Sequence, residues 1–169
     1  MQISVHNKTL DLSTPQVMGI LNVTPDSVYA GSRKQTEQEI AERTNQIILE
    51  GGKIIDVGAF STGPGSADVS EEEELLRMRN GLAIVRREQP DALVSIDTFR
   101  PSVARMAVEE FGADIINDIS EGRGYYNNTS NENAKVDVDA NENEPSDILL
   151  EVARLQVPYI LMSLQADLE

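Results

Sequence analysis

Lys53-Ile54-Ile55-Asp56-Val57 is followed by a loop rich in hydroxyls and glycine, Ser61-Thr62-Gly63-Pro64-Gly65-Ser66, and then by a helix-period stretch opening at Ser70. The run is apolar on both faces, as expected of a strand covered on both sides within a parallel sheet. Outward from it the same order of apolar run, polar residue, loop and helical stretch recurs, with apolar runs at 17–23, 92–96, 114–116 and 157–162. Helix signals fill the intervals. Thr36 with Glu39 is a capping-box pair ahead of Ile40, Ile47 and Ile48, and Gly51-Gly52 is the stop. Ser70 with Glu73 repeats the device before a stripe of Leu75, Met78, Leu82 and Val85 that ends ahead of Pro90. Pro101 suits a first helical turn, with Val103, Met106, Ala107 and Phe111 after it and Gly112 as the end. A last helix opens near Ser146 and carries Leu149, Leu150, Val152 and Leu155. This alternation predicts right-handed βαβ units, with five strands and four helices in all. Ahead of them 3–12 alternates apolar and polar residues around Asn7-Lys8, which places a short β-hairpin within 1–14.

Composition bounds the possibilities. The chain has 169 residues, 40% of them apolar and only 4% aromatic, so a packed core is available and must be aliphatic. A net charge of −15 argues against a nucleic-acid binder, which needs a basic face. With no cysteine and one histidine, disulfides, thiolate zinc sites and multi-His metal clusters are excluded. The longest apolar runs fall far short of the roughly 20 residues of a membrane span, and the first residues lack the features of a signal peptide. A cytoplasmic protein with no membrane partner is expected. One stretch departs from the rhythm: 121–146 holds six Asn and six acids among 26 residues, with almost nothing to bury. That composition reads as a flexible insertion.

Position carries the functional information. Asn22, Asp56, Asp97 and Asn117 each fall at the carboxyl end of an apolar run, separated by 34, 41 and 20 residues. In parallel α/β folds that rim is where ligands bind. Amide and carboxylate groups gathered there suit a heterocycle rich in donors, such as an aminopyrimidinone. Taken singly, each is equally at home capping a strand or starting a helix. The Ser61 to Ser66 loop would let backbone N–H groups approach a phosphate, although such loops also serve as plain connectors. Asn22-Val23-Thr24-Pro25-Asp26-Ser27 offers oxygens to a hard cation such as magnesium and is equally a turn signature.

Four segments in this order resemble dihydropteroate synthase, the folate-pathway family among the pterin-binding enzymes. They are Met18-Gly19-Ile20-Leu21-Asn22-Val23-Thr24-Pro25-Asp26-Ser27, Ile55-Asp56-Val57-Gly58 with Ser61-Thr62, Val94-Ser95-Ile96-Asp97-Thr98, and Ile115-Ile116-Asn117-Asp118. The resemblance implies a transferase that joins 6-hydroxymethyl-7,8-dihydropterin diphosphate to p-aminobenzoate and releases pyrophosphate. It implies a (β/α)8 TIM-type barrel, represented by about five strands and four helices after the hairpin, as one partial pterin-binding domain over 1–169. Asp97 and Asn117, with Asp56, would bind the pterin. Thr62 would touch the diphosphate, and Asn22 would reach the Mg2+ bound to it. The loops around Thr24-Pro25-Asp26 and Ser61 to Pro64 would close over the p-aminobenzoate position.

The departures from the family pattern set further expectations. Gly63 stands where the family has an arginine, and a guanidinium is a bidentate oxyanion partner that Gly cannot replace. Ile119-Ser120-Glu121-Gly122 places an acid where glycines are usual, and Met162-Ser163-Leu164 replaces a Met-His-Met ending. A complete barrel takes about 250 residues. This chain alone is therefore expected to catalyse weakly if at all, with a non-catalytic pterin-binding fragment or an interaction module as the alternatives. Open sheet edges would favour self-association.

Overall fold

The computed structural model describes residues 2–5, 8–24, 32–60, 69–120, 122 and 145–162, with backbone alone for Val5 and for 32–36. β1 (Gln2–Val5) and β2 (Lys8–Asp11) pair antiparallel, and Lys8 pairs with Val5, so it belongs to the strand rather than to the turn. Five further strands, β3 (Met18–Asn22), β4 (Ile54–Gly58), β5 (Leu93–Asp97), β6 (Ile115–Asp118) and β7 (Tyr159–Leu161), form one parallel sheet in that order. Each lies beside its neighbour in sequence, as in the wall of a βα barrel and unlike a doubly wound sheet, whose order reverses midway. Helices α1 (Ser32–Leu49), α2 (Glu71–Glu88), α3 (Pro101–Phe111) and α4 (Asp147–Leu155) pack each against the next.

The two faces of the sheet have different jobs. Leu21, Ile55, Val57, Val94, Ile96 and Ile116 point toward the helices and share one core with Met78, Leu82, Val85, Val103 and Ile148. Burying an aliphatic side chain of this size contributes about 1.5–3 kcal/mol, so this layer holds the sheet. The other parity forms three rungs, counted from the strand starts. The lowest is Met18–Ile54–Leu93, the middle Ile20–Asp56–Ser95–Ile115, and the highest Asn22–Gly58–Asp97–Asn117–Ile160. Polarity thus rises toward the strand tips. The hairpin closes the apolar end, where Leu10 clusters with Ile54 and Ile115, and Leu12 packs alongside. Lys8 fixes it by pairing with Asp114 at 3.2 Å and donating to the Ala92 carbonyl at 3.0 Å.

Several sequence expectations shift in detail. Helix α1 begins at Ser32, so Thr36 lies inside it and not at its cap; the intervening Arg33, Lys34 and Gln35 are good helix formers. The cap at Ser70 is real, its hydroxyl accepting from the Glu73 N–H at 3.2 Å, but the Glu73 carboxylate takes Arg77 at 2.7 Å instead of reaching back. In α4, Leu150 is exposed, while Ile148 and Glu151 are buried. The inward stripe is Ile148, Val152 and Leu155, at i, i+4 and i+7. Of the acidic stretch 121–146, all but Gly122, Pro145 and Ser146 lies outside the described residues. Its two stems meet, since the Ser146 hydroxyl donates to the Gly122 carbonyl. Among the described residues no helix is long and apolar enough to cross a membrane.

Candidate functional site at the strand tips

The upper rung is built from strand endings. Asn22 and Asp97 are the last residues of β3 and β5, and Asn117 is the next to last of β6. Between Asn22 and Asp97 the register places Gly58. A Cβ there would stand 3.4 Å from Asp97 Oδ2 and 3.5 Å from Asn22 Oδ1, so both side chains lean over the glycine. Its lack of a side chain is what leaves a gap between them.

Asp56 corrects the sequence reading. It is the third residue of the five-residue β4 and not its end, because the strand runs on to Gly58. It therefore sits one rung lower, opposite Ser95. It still joins the cluster: the Asn117 amide donates from Nδ2 to Asp56 Oδ2 at 3.1 Å, with both residues buried. The other carboxylate oxygen, Asp56 Oδ1, is buried with no hydrogen-bond partner among the described residues, and so is Ser95 Oγ.

Asp97 is the electrostatic centre of the rim. No hydrogen bond from a described residue reaches its carboxylate. Burial, followed by the negative charges of Asp56, Glu74 and Asp118, pushes its carboxyl up to about 6. Beside it a small cavity of about 30 Å³ is lined by Phe60, Glu74, Asp97, Thr98, Phe99 and Ile119. Its wall is a rigid polar knot. Fully buried Glu74 accepts from the Thr98 hydroxyl at 2.7 Å and pairs with Arg100. The Arg100 guanidinium also donates to the Val69 carbonyl at 2.7 Å and lies 5.2 Å and 5.8 Å from the ring centres of Phe99 and Phe60. Burial raises the Glu74 carboxyl, and the bonds from Thr98 and Arg100 oppose that rise.

Asp118 follows Asn117 and has a different role. It points away from the rung and accepts from Ser120 N–H at 2.7 Å, Ser120 hydroxyl at 3.0 Å, Gly122 N–H at 3.1 Å and the Tyr159 hydroxyl. Those bonds fix the turn leaving β6. Of the remaining residues singled out in the sequence, Thr24 is partly buried just past β3, with no described contact to the cluster. Pro25, Asp26, Ser61, Thr62 and Pro64 lie outside the described residues, as do Gly63, Glu121, Ser163 and Leu164.

The site thus brings Asn22, Asp56, Asp97 and Asn117 to one mouth. Sequence reading passed over Ser95, although a polar residue two places before Asp97 in an apolar run shares its face. Glu74 and Arg100 gave no such signal, because a helix acid and a loop arginine meet only after folding. Among the described residues no three His, Cys, Asp or Glu side chains are placed to hold a metal ion. An Mg2+ carried by substrate phosphates needs only one or two protein oxygens. Asn22 Oδ1, facing Asp97 Oδ2 across Gly58, fits that lesser demand.

Comparison with known proteins places this geometry. A family model described as pterin binding enzyme matches residues 18–168. Dihydropteroate synthase of Escherichia coli (strain K12) is 43% identical over 119 residues, covering 70% of this chain and 42% of that protein. The crystal structure of 7,8-dihydropteroate synthase from Vibrio fischeri ES114 matches with a TM-score of 0.74 and 32% identity, over 99% of this chain and 52% of that one. Xanthomonas albilineans dihydropteroate synthase, solved with 4-aminobenzoic acid, matches at 0.73 and 31%, over 98% of this chain and 53% of that one. The chain spans about half the length of these relatives or slightly less.

Proposed function

The chain belongs to the pterin-binding enzyme family, and from that membership we propose that it serves as part of a dihydropteroate synthase in folate biosynthesis. The reaction joins the amine nitrogen of p-aminobenzoate to the methylene carbon of 6-hydroxymethyl-7,8-dihydropterin diphosphate. The carbon–oxygen bond to the diphosphate breaks, pyrophosphate leaves with the bonding pair, and the amine gives up a proton. The observation that carries the reading is the meeting of Asp97 and Asn117 at adjacent strand tips, where the Asp97 carboxylate receives no hydrogen bond from a described residue and Asp56 Oδ1 is buried without a partner among them. An aminopyrimidinone edge offers N–H donors to such oxygens, and the Asn117 amide supplies both a donor and an acceptor.

Asp97 and Asn117 would then bind and orient the pterin, with Asp56 beneath them. Asn22, above Gly58, would be the protein oxygen nearest the diphosphate, and Thr62 would contact the phosphates. When bound there, Mg2+ supplies positive charge to the departing pyrophosphate. The loops carrying Thr24, Pro25, Asp26, Ser61 and Pro64 would receive p-aminobenzoate. The net charge of −15 disfavours a nucleic-acid partner and suits small-molecule ligands, and action in the cytoplasm is part of this proposal.

Titration calorimetry of the pterin diphosphate against the wild-type chain and Asp97→Ala tests this reading. At least a tenfold loss of affinity in the variant is expected. Equal heats, or none in the wild type, would overturn it.

A second reading is that this chain binds pterin without turning it over. Arg100 favours it: the cation closest in sequence to Asp97 has its guanidinium taken up by Glu74 and the Val69 carbonyl. Gly63 leaves the neighbouring loop without the arginine of the family pattern, and losing one oxyanion donor costs about 10² to 10³ in rate. The exposed apolar residues of the outer strands, Ile20 on β3 and Leu161 on β7, would let such a form self-associate. A coupled pyrophosphate-release assay separates the two readings, since ordinary turnover by the purified chain would eliminate the second.

A further inference from the structure

Two buried polar atoms of the inner face have no partner among the described residues, and they are neighbours. Ser95 is fully buried and Asp56 is 5% exposed, yet Ser95 Oγ and Asp56 Oδ1 make no hydrogen bond. The register sets Asp56 directly opposite Ser95 on adjacent strands, in the rung beneath Asp97 and Asn117. An unpaired buried oxygen costs about 1–3 kcal/mol, and more when charged. Two in adjacent positions are therefore an expensive arrangement for a fold to keep. The apolar rung Met18–Ile54–Leu93 with Leu10 closes the approach from below. The polar rung above them leads to the strand tips, so a ligand held at Asp97 and Asn117 would lie on their open side.

We infer that Ser95 and Asp56 Oδ1 form the deepest contact of the pterin site and determine which heterocycle edge it accepts. The inference rests on the pterin reading and names its specificity. A carboxylate oxygen only accepts, so Asp56 demands an N–H from the ligand, whereas the Ser95 hydroxyl both donates and accepts. The pair selects an edge presenting an N–H beside a second polar atom, as an aminopyrimidinone does. The Asn117 bond to Asp56 Oδ2 holds that carboxylate in place, so that Oδ1 stays available. A site built to bind such a group discriminates strongly against a ligand lacking it, because its own atoms are then left unpaired.

The test is fluorescence titration of 6-hydroxymethyl-7,8-dihydropterin diphosphate into the 169-residue chain, with Ser95→Ala, Asp56→Asn and the double variant, alongside thermal unfolding of each. Ser95→Ala should weaken binding about five- to tenfold while its unfolding midpoint stays level or rises, because an unpaired buried hydroxyl has been removed. A serine that merely braced the fold would show the reverse, a lower midpoint with unchanged affinity. The double variant should lose less than the product of the two single losses, since both atoms serve one ligand edge. Ser95→Cys, nearly the same size with a weak donor, should fall between wild type and Ser95→Ala and also covers the case in which the alanine variant fails to fold. Wild-type affinity in both Ser95 variants, or independent losses in the cycle, would overturn the inference while leaving the pterin reading intact. No binding by the wild type would overturn both.

Discussion

Asp114 at the lower end of the sheet and Asp56 on the inner face near its upper end are both buried carboxylates, and their surroundings differ sharply. At the lower end Asp114, 1% exposed, receives the Val94 N–H at 3.0 Å and faces Lys8 at 3.2 Å and Arg86 at 3.5 Å. Arg86 in turn donates to the carbonyls of Phe111 and Ala92, both at 2.8 Å. At the upper end Asp97 faces the charge of Asp56, whose Oδ2 accepts from Asn117 while its Oδ1 has no donor among the described residues. The lower acid is saturated by its own chain, whereas at the upper end Asp97 and Asp56 Oδ1 meet no donor among the described residues, which is what the proposed pterin site would use.

The largest expected effect lies at the lower end. Asp114→Ala would leave the Val94 N–H unpaired and remove the acid that Lys8 and Arg86 share. A loss of about 3 kcal/mol is expected in urea unfolding. A loss under about 1 kcal/mol would break the contrast between the two ends.

Next comes a pH effect confined to the upper end. The Asp97 carboxyl is raised from its ordinary 3.8 to about 6, first by burial and then by Asp56. Between those values the folded chain keeps a proton that the unfolded chain has released. Stability from this group is therefore complete below about 4 and declines as pH rises through about 6. Asp97→Asn should flatten that decline, read as the difference in urea midpoint between variant and wild type from pH 4 to 7. Glu151 works in the other direction and in another window. Arg105 and then Arg154 hold its carboxyl down to about 2, so its contribution is present above about 4.5 and fades as the solution is acidified toward 2. A wild-type midpoint that climbs between pH 4 and 6 and is unaltered by Asp97→Asn would remove the electrostatic half of the comparison.

The smallest effect on stability is expected at Gly58. An alanine Cβ there meets nothing closer than 3.4 Å, an ordinary contact. Gly58→Ala should change unfolding free energy by no more than about 0.5 kcal/mol. It fills the gap between Asn22 and Asp97, however, so titration with the pterin diphosphate should show a clear loss of affinity. Unchanged affinity would mean that ligands do not pass between those two side chains.

Most of the architecture was legible before folding, because it depends on local signals. Runs apolar on both faces marked the parallel strands, and Ser70, Pro101 and Gly112 punctuated the helices where the structure has them. What escaped was whatever depends on register. Asp56 looked like a strand end because Gly58 gives no apolar signal, and only the ladders to β3 and β5 show that the strand continues through it. Leu150 is among the apolar residues that mark the last helix, yet the turn set by the Ser146 cap gives the buried face to Ile148. Asn22, Asp97 and Asn117 were visible as polar punctuation. Ser95, Glu74 and Arg100 acquire meaning only from what stands opposite them. Residues that terminate an element can be seen in one dimension, and residues that complete a neighbour cannot.

The hairpin at the chain's start has a kinetic corollary. Leu10 packs on Ile54 and Ile115, and Lys8 reaches Ala92 and Asp114 across sequence separations of 84 and 106 residues. Contacts that far apart in sequence form late, because the intervening chain must be ordered first. The hairpin is therefore expected to dock only once β5 and β6 stand side by side.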